Sequence, residues 1–288
     1  MRMRLKKLKI GIVGHGFVGK ATDWGFNRNV EKLIVDPIYN NSLSDLCKFD
    51  PDVLFVCVPT PMGTDGCQDQ TILTEVISDI KNKFPKKITV IKSTVLPDLL
   101  VKLNSENNNL VYNPEFLREK HANEDFKNAP FILLGGDRNK CNKVAQIFKD
   151  HSRCKTEEYR FTDISSASFI KYCINTFLAL KVVYFNQLFH LFEALGENDN
   201  WNDIIEILKL DKRIGGSHMD VPGHDGRHGF GGACFPKDTS ALVNYSKSLD
   251  INMQLLENAI SLNNKLRSAY NFPTEREKEQ NISFDKDD

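Results

Sequence analysis

Lys9-Ile10-Gly11-Ile12-Val13-Gly14-His15-Gly16-Phe17-Val18-Gly19 decides the fold of this 288-residue chain. A short apolar strand runs straight into Gly-x-Gly-x-x-Gly. Leu33-Ile34-Val35-Asp36 follows, a second strand that ends in an acid 17 residues after Gly19. Strand, glycine turn, helix and acid in this order make the dinucleotide fingerprint. Gly14 is expected to form the tight turn and Gly16 to let a pyrophosphate approach the backbone. Phe17 and Val18 would open the helix whose N-terminus faces that pyrophosphate, and Gly19 would allow close helix–strand packing. Asp36 is expected to hydrogen-bond the adenine ribose hydroxyls. A carboxylate there repels a 2′-phosphate, and Pro37-Ile38-Tyr39-Asn40 offers no Arg or Lys to receive one. The cofactor read from these residues is therefore NAD rather than NADP.

Outward from this motif, residues 7 to about 160 alternate strand and helix patterns. Candidate strands are Lys9–Val13, Lys32–Val35, Val53–Val58, Ile88–Ile91, Leu110–Tyr112 and Phe131–Leu134. Several are β-branched runs with little polar alternation, as expected for a parallel sheet covered on both faces. Val58-Pro59-Thr60-Pro61 places a rigid loop at the carboxyl edge of that sheet, where such folds bind ligands. The fold class is α/β: an N-terminal Rossmann-type doubly wound parallel sheet over 1–160, then an all-helical central domain over 161–270. From Ser165 to Leu195 an apolar stripe runs through Phe169, Cys173, Phe177, Leu180, Tyr184, Leu188, Leu191 and Leu195 in steps of three and four. That is one long helix, capped by Thr162 or Asp163 and stopped at Gly196. A stripe this long suggests homodimer packing, or else a long core helix within one subunit. Further helices are expected over Trp201–Leu210 and Thr239–Lys265. Residues 271–288, rich in Glu, Lys and Asp, read as a disordered tail.

The composition sets bounds. Apolar content of 41% and charged content of 26% suit a soluble globular protein. Formal net charge is zero, so no global field draws the chain to nucleic acid or membrane. Arg2, Arg4, Lys6, Lys7 and Lys9 form a small basic lead-in, read as solvated rather than as a targeting signal. No uncharged apolar stretch approaches the ~20 residues of a membrane span. Seven cysteines, an odd number with no Cys-x-x-Cys, argue against a disulfide framework and for a reducing cytoplasm.

The second decisive stretch is Gly229-Phe230-Gly231-Gly232-Ala233-Cys234-Phe235-Pro236-Lys237-Asp238. It sets a cysteine at the end of a glycine-rich turn, just before a proline suited to a first helical position. The free amides of a helix start favour a thiolate. Asp238 lies four residues on, so a helical turn brings it back toward the sulfur. Alone, the block reads as a buried cysteine beside a tight turn; with the dinucleotide fingerprint it reads as an enzyme.

Together with Ser93-Thr94-Val95, Asn113-Pro114-Glu115-Phe116-Leu117-Arg118-Glu119 and Phe169-Ile170-Lys171-Tyr172-Cys173-Ile174-Asn175, these blocks resemble the nucleotide-sugar 6-dehydrogenase (UDP-glucose/GDP-mannose dehydrogenase) family. The resemblance spans Gly14 to about Lys265. It implies oxidation of a sugar C6 alcohol to the carboxylate with two NAD and no free aldehyde, UDP-glucose being the implied substrate. By the same resemblance Cys234 would be the nucleophile, and Lys171 with Asn175 would stabilise charge on the substrate oxygen. Glu115, with Thr94 and a water, would serve acid/base and hydrolytic steps; Asp238 would orient water or Lys171. Pro59, Thr60 and Thr94 would border the cofactor. Phe116, Leu117, Glu119 and Gly231 would line the substrate, and Arg213 would reach a neighbouring subunit's site. Glu115 and Glu119, four apart like Lys171 and Asn175, are expected on one helical face.

Two departures stand out. Members of the family continue into a second Rossmann-like domain that completes the nucleotide pocket, whereas this chain reads as ending in a polar tail. The segment from Gly215 to His228 reads as longer than in short family forms, and its His218, His224 and His228 with Asp220 and Asp225 invite a metal reading. Glycines and a proline argue against a shared helix for these histidines, and no metal is expected. Two other readings stay open: a β-hydroxyacid-type NAD dehydrogenase, which transfers one hydride and needs no Cys234, and a truncated NAD-binding regulatory subunit.

Overall fold

The computed structural model describes residues 7–196 and 200–284. The chain divides into two compact units, one of Met1–Thr60 with Gln70–Lys171 and one of Pro61–Asp69 with Tyr172–Asp288. The division thus falls eleven residues past the boundary expected at 160/161, and the short segment after Thr60 joins the second unit. Arg2, Arg4 and Lys6 of the basic lead-in lie outside the described residues.

The first unit is a seven-stranded sheet: β1 (Leu8–Val13), β2 (Val30–Val35), β3 (Val53–Val56), β4 (Ile88–Ile91), β5 (Leu110–Tyr112), β6 (Ile132–Gly136) and β7 (Tyr159–Thr162), in the order β2-β1-β3-β4-β5-β6-β7. All neighbours are parallel except β5 and β6. The two-residue period of the strands divides the core. Val13, Leu54, Val56, Ile91 and Tyr112 face α2 (Leu43–Phe49), α3 (Thr71–Lys83) and α4 (Pro97–Glu106). Ile10, Ile12, Val53, Phe55, Val90 and Leu134 face the other way. There Phe26, after α1 (Phe17–Gly25), packs with Phe126 of α5 (Ala122–Lys127) and Phe148 of α6 (Arg138–His151). Both faces are covered, which explains the apolar runs read from the sequence. Strand β7 escaped that reading because it is a half-exposed edge strand with Arg160 turned to solvent.

The second unit is built on α7 (Ile164–Leu195), which starts in the first unit and continues through the second. Of the two expected caps it uses Asp163, whose carboxylate accepts from Ser166 N–H at 2.8 Å and Ser165 Oγ at 2.6 Å. Gly196 ends it at φ +66°. Helix α8 (Trp201–Leu208) is capped by Asn200 and packs Trp201 and Ile205 on Phe185. By length and composition α7 is apolar enough to cross a membrane, although half of its most apolar stretch is buried in the protein.

Two expectations need correction. The single helix expected over Thr239–Lys265 is a pair, α9 (Phe235–Ser248) and α10 (Gln254–Arg267). Asp250 takes φ +57° between them, and Ile251 N–H returns to the Ser246 carbonyl at 2.9 Å, so the turn closes on itself. The disordered tail does not describe residues 274–282. Thr274 caps a short helix, α11 (Glu275–Glu279), by a reciprocal capping box, and Glu277 and Ile282 are buried. Composition hid this because one buried carboxylate and one isoleucine anchor an otherwise polar segment.

Candidate functional site

In the first unit the carboxyl ends of the strands gather the residues read as cofactor-binding. Gly14 sits at φ +89°, and a Cβ there would meet the Cys57 carbonyl at 2.7 Å. Only glycine satisfies both conditions. A Cβ at Gly19 would overlap the Gly14 carbonyl, so this glycine is needed for helix–strand contact. Gly16, the N-cap of α1, differs: a Cβ there would meet nothing within 4 Å. Open space above an N-cap, followed by Phe17 and Val18 with first-turn amides, fits an approaching pyrophosphate. Asp36 is already oriented at the end of β2, where its carboxylate accepts from His15 N–H at 2.6 Å and Ile38 N–H at 3.1 Å. His15 Nδ1 lies 2.7 Å from the Tyr39 hydroxyl. The loops after β3 and β4 are tied together: Thr60 Oγ donates to the Thr94 carbonyl at 2.9 Å, and Ser93 Oγ to that of Val58 at 2.6 Å. Pro59 stands in the first of these loops and Thr94 is buried in the second.

Beyond β5, Glu115 is buried and its carboxylate accepts from Leu117 N–H at 2.7 Å. Lys171 Nζ, also buried, donates to the Glu115 carbonyl and lies 3.5 Å from its carboxylate and 5.2 Å from the Phe116 ring centroid. Residues 113–118 are not helical, so Glu115 and Glu119 do not share a helical face; Glu119 opens an exposed turn at Glu119–His121. The geometry adds a group that was not singled out. Lys92 is buried and donates to Asn113 Oδ1 at 2.8 Å, while Asn113 Nδ2 donates to the Leu133 carbonyl at 2.9 Å. Burial pulls the Lys92 ammonium below its usual range and pushes the neighbouring Cys57 thiol up to about 11.

In the second unit Cys234 is the half-buried N-cap of α9, with Pro236 in the first turn. The glycine turn before it is held at consecutive positions. Asn186 Oδ1 accepts from Gly229 N–H at 3.0 Å. Asn263 Oδ1 accepts from Phe230 N–H at 2.6 Å, and its Nδ2 donates to the Phe230 carbonyl at 3.0 Å. Asp238 has no solvent exposure; Asn175 Nδ2 donates to one of its oxygens at 2.6 Å and Lys237 Nζ to the other at 2.5 Å. Lys237 is the second lysine that the sequence reading passed over, and adjacency to Asp238 in a first helical turn was the available signal. On α7 itself, Lys171 and Asn175 stand one turn apart. Lys181 is buried on three carbonyls: its Nζ donates to those of Ile214, Gly215 and Ser217 and so folds the start of the long loop. Arg213 is exposed and paired with Asp211 at 2.6 Å.

The loop histidines go separate ways. His218 packs on Phe235, while His228 stacks on His190 at 5.4 Å and 10°. Among the described residues no three His, Cys, Asp or Glu groups converge to hold a metal ion.

The fold and the sites define a class: a dinucleotide-type sheet joined to a helical unit that carries a cysteine-bearing turn. Comparison with known proteins identifies it further. Residues 40–151 match the NAD binding domain of the UDP-glucose/GDP-mannose dehydrogenase family, and residues 165–265 match the central domain of the same family. The chain belongs to the UDP-glucose/GDP-mannose dehydrogenase family. It is 32% identical over 239 residues to UDP-glucose 6-dehydrogenase of Rickettsia felis, covering 81% of this chain and 50% of that protein. It is 29% identical to UDP-glucose 6-dehydrogenase TuaD of Bacillus subtilis over 304 residues, covering 90% and 63% respectively. The chain thus spans about half the length of the curated relatives it matches. A UDP-glucose dehydrogenase from Pyrobaculum islandicum has a similar structure (TM-score 0.76, 25% identity, covering 92% of this chain and 70% of that one). A 3-hydroxyisobutyrate dehydrogenase from Mycobacterium tuberculosis shares the fold alone (TM-score 0.69, 14% identity, covering 96% and 97%).

Proposed function

We propose that this chain oxidises the C6 alcohol of a nucleotide sugar, UDP-glucose first among them, to the carboxylate with two NAD. The observation that carries the reading is the hydrogen-bonded Gly229–Gly232 turn that delivers Cys234 to a helix N-cap, in a chain that also has the NAD fingerprint. Bound NAD would supply the hydride acceptor. Gly14, Gly16, Gly19 and the first turn of α1 would take its pyrophosphate, and Asp36 its ribose hydroxyls. Cys234 Sγ would add to the C6 aldehyde carbon, giving a thiohemiacetal that is oxidised to a thioester and then hydrolysed by water. Lys171 and Asn175 would stabilise the oxyanion. Glu115, with Thr94, would handle the proton of the attacking water. Phe116, Leu117, Glu119, Arg213 and Gly231 are assigned to the substrate by family resemblance only.

A homodimer through α7 belongs to the same proposal. Phe169, Phe177, Tyr184, Leu191 and Leu195 on the apolar stripe are all exposed, a row of large side chains that a second copy would cover. Light scattering should give twice the 32.8 kDa chain mass; a monomer mass at micromolar concentration would overturn this part. A reducing cytoplasmic setting belongs to the same proposal and rests on the odd number of cysteines and the lack of a Cys-x-x-Cys pair.

NADH counted per UDP-glucose consumed tests the reaction. Two NADH support the four-electron route. One NADH would favour the single-hydride β-hydroxyacid type, and none on UDP-glucose, GDP-mannose or UDP-N-acetylglucosamine would sink the proposal. Asp36→Ala is expected to raise the KM for NAD about tenfold or more with kcat little changed, since about 1.5–3 kcal/mol attaches to hydrogen bonds with a charged group. An unchanged KM would remove Asp36 from the cofactor site.

A further inference from the structure

The polar segment after α10 reaches back to the turn that carries Cys234. Glu277 is fully buried. Its Oε1 accepts from Gly232 N–H at 3.1 Å, two residues before Cys234, and from Arg267 Nη2 at 2.5 Å. Its Oε2 accepts from Thr274 N–H at 2.6 Å. Arg267 is itself fully buried, and its Nη1 donates to Asp225 at 2.7 Å. A Cβ at Gly231 would overlap both the Arg267 guanidinium and the Glu277 carboxylate, so that glycine lets the ion pair lie against the turn. The far end of the segment is also fastened. The Gln280 carbonyl accepts from Met62 N–H at 3.1 Å, Asn281 Nδ2 donates to the Met62 carbonyl at 3.3 Å, and Ile282 is buried. Thus 274–282 is anchored at one end to the cysteine-bearing turn and at the other to segment 61–69, all within the second unit.

We propose that residues 274–282 are a clamp that positions the Cys234 turn, with Glu277 as the positioning residue. The proposal rests on the reading of Cys234 as the reactive thiol. Gly232 sits at φ +75°, a conformation open to several alternatives in a free glycine turn. A buried carboxylate accepting its N–H selects one of them. Burial raises the Glu277 pKa, but the Thr274 N–H, the Arg267 charge and the Gly232 N–H together hold it below the ordinary value, so it is ionised at neutral pH. The bond to Gly232 is therefore charge-assisted and stronger than a neutral one.

The test uses the full chain as Glu277→Ala and Glu277→Gln. Iodoacetamide labelling would be followed by mass spectrometry at three separate peptides, those of Cys234, Cys57 and Cys141. The last two thiols are buried in the first unit and their pKa values are pushed up to about 11, so they report global opening. In Glu277→Ala, Cys234 is expected to label about tenfold faster, the scale of one lost hydrogen bond to a charged acceptor, with Cys57 and Cys141 unchanged. kcat should fall by a similar factor while the KM for NAD holds. Glu277→Gln keeps an acceptor for Gly232 N–H and is expected to restore slow labelling. Parent-like Cys234 labelling in Glu277→Ala overturns the proposal. So does a parallel rise at all three thiols, which would make the pair a support of the whole fold. Full turnover in Cys234→Ser would instead defeat the reading of the thiol, while the labelling result would still decide whether the clamp exists.

Discussion

Cys234→Ser is expected to lower steady-state NADH formation from UDP-glucose by on the order of a thousandfold or more, since loss of a covalent nucleophile can cost up to roughly a millionfold in kcat and serine keeps a weaker nucleophile in its place. The physical reason is the sulfur. A thiolate forms easily, adds readily to an aldehyde, and leaves readily from the thioester it becomes. Cys234 sits as N-cap of α9, where first-turn amides lack intrahelical partners and the helix dipole favours negative charge. A serine alkoxide in the same place forms far less readily and would leave an ester that water cleaves more slowly. The turn itself should survive the change, because its bonds come from Asn186, Asn263 and Glu277 to backbone groups. NAD binding, measured by fluorescence titration, should remain within about twofold, since the hydrogen bonds that hold the Gly14–Asp36 motif use no atom of Cys234 and a change below ~0.5 kcal/mol is expected where no partner is shared. Turnover within tenfold of the parent would reject covalent catalysis at Cys234 and leave a single-hydride dehydrogenase as the better account.

Asp238→Ala is expected to cost about 3–5 kcal/mol of unfolding free energy in urea, the range for breaking a buried ion pair from one side. Asp238 is fully inaccessible, and its two oxygens satisfy Asn175 and Lys237. Removing it leaves the Lys237 ammonium buried without its carboxylate and an Asn175 amide without its acceptor. The double variant Lys237→Met with Asp238→Leu should recover the part of that loss due to the Lys237 charge, because an apolar pair of similar volume replaces a buried ion pair at little cost, while the share of the Asn175 amide, about 1–3 kcal/mol, remains. It should nevertheless stay poorly active, since Asn175 would lose the partner that fixes its amide. A loss below about 1 kcal/mol in Asp238→Ala, the scale of an exposed pair, would show that Lys237 escapes to solvent and that the network is not structural.

Much of this was legible because the information is local. The glycines at 14, 16 and 19 and the acid at 36 lie on one strand–turn–helix–strand unit, and the structure keeps them there. The strands read as apolar runs because the sheet is covered on both faces. The long helix was visible from its stripe, and Pro236 marked the start of α9. Three things were not legible. Lys92 and Lys181 look like solvent lysines in sequence, yet are buried on partners up to 36 residues away. The break between α9 and α10 falls at Asp250, a residue with no proline or glycine beside it. The tail reads as polar because its anchors are Glu277, whose partners are Arg267 and Gly232, and a single Ile282.

The sequence by itself determined the doubly wound sheet, the NAD fingerprint and the cysteine-bearing turn, since each depends on spacing within a few residues and on backbone conformations that glycine and proline impose. Only the tertiary structure decided which charged side chains are buried and which are paired. Burial is set by what the rest of the chain places around a residue. A lysine or glutamate in the interior is tolerated where a partner meets it, and for Lys92, Lys181 and Glu277 that meeting includes residues 21 to 45 positions away, which no local pattern encodes.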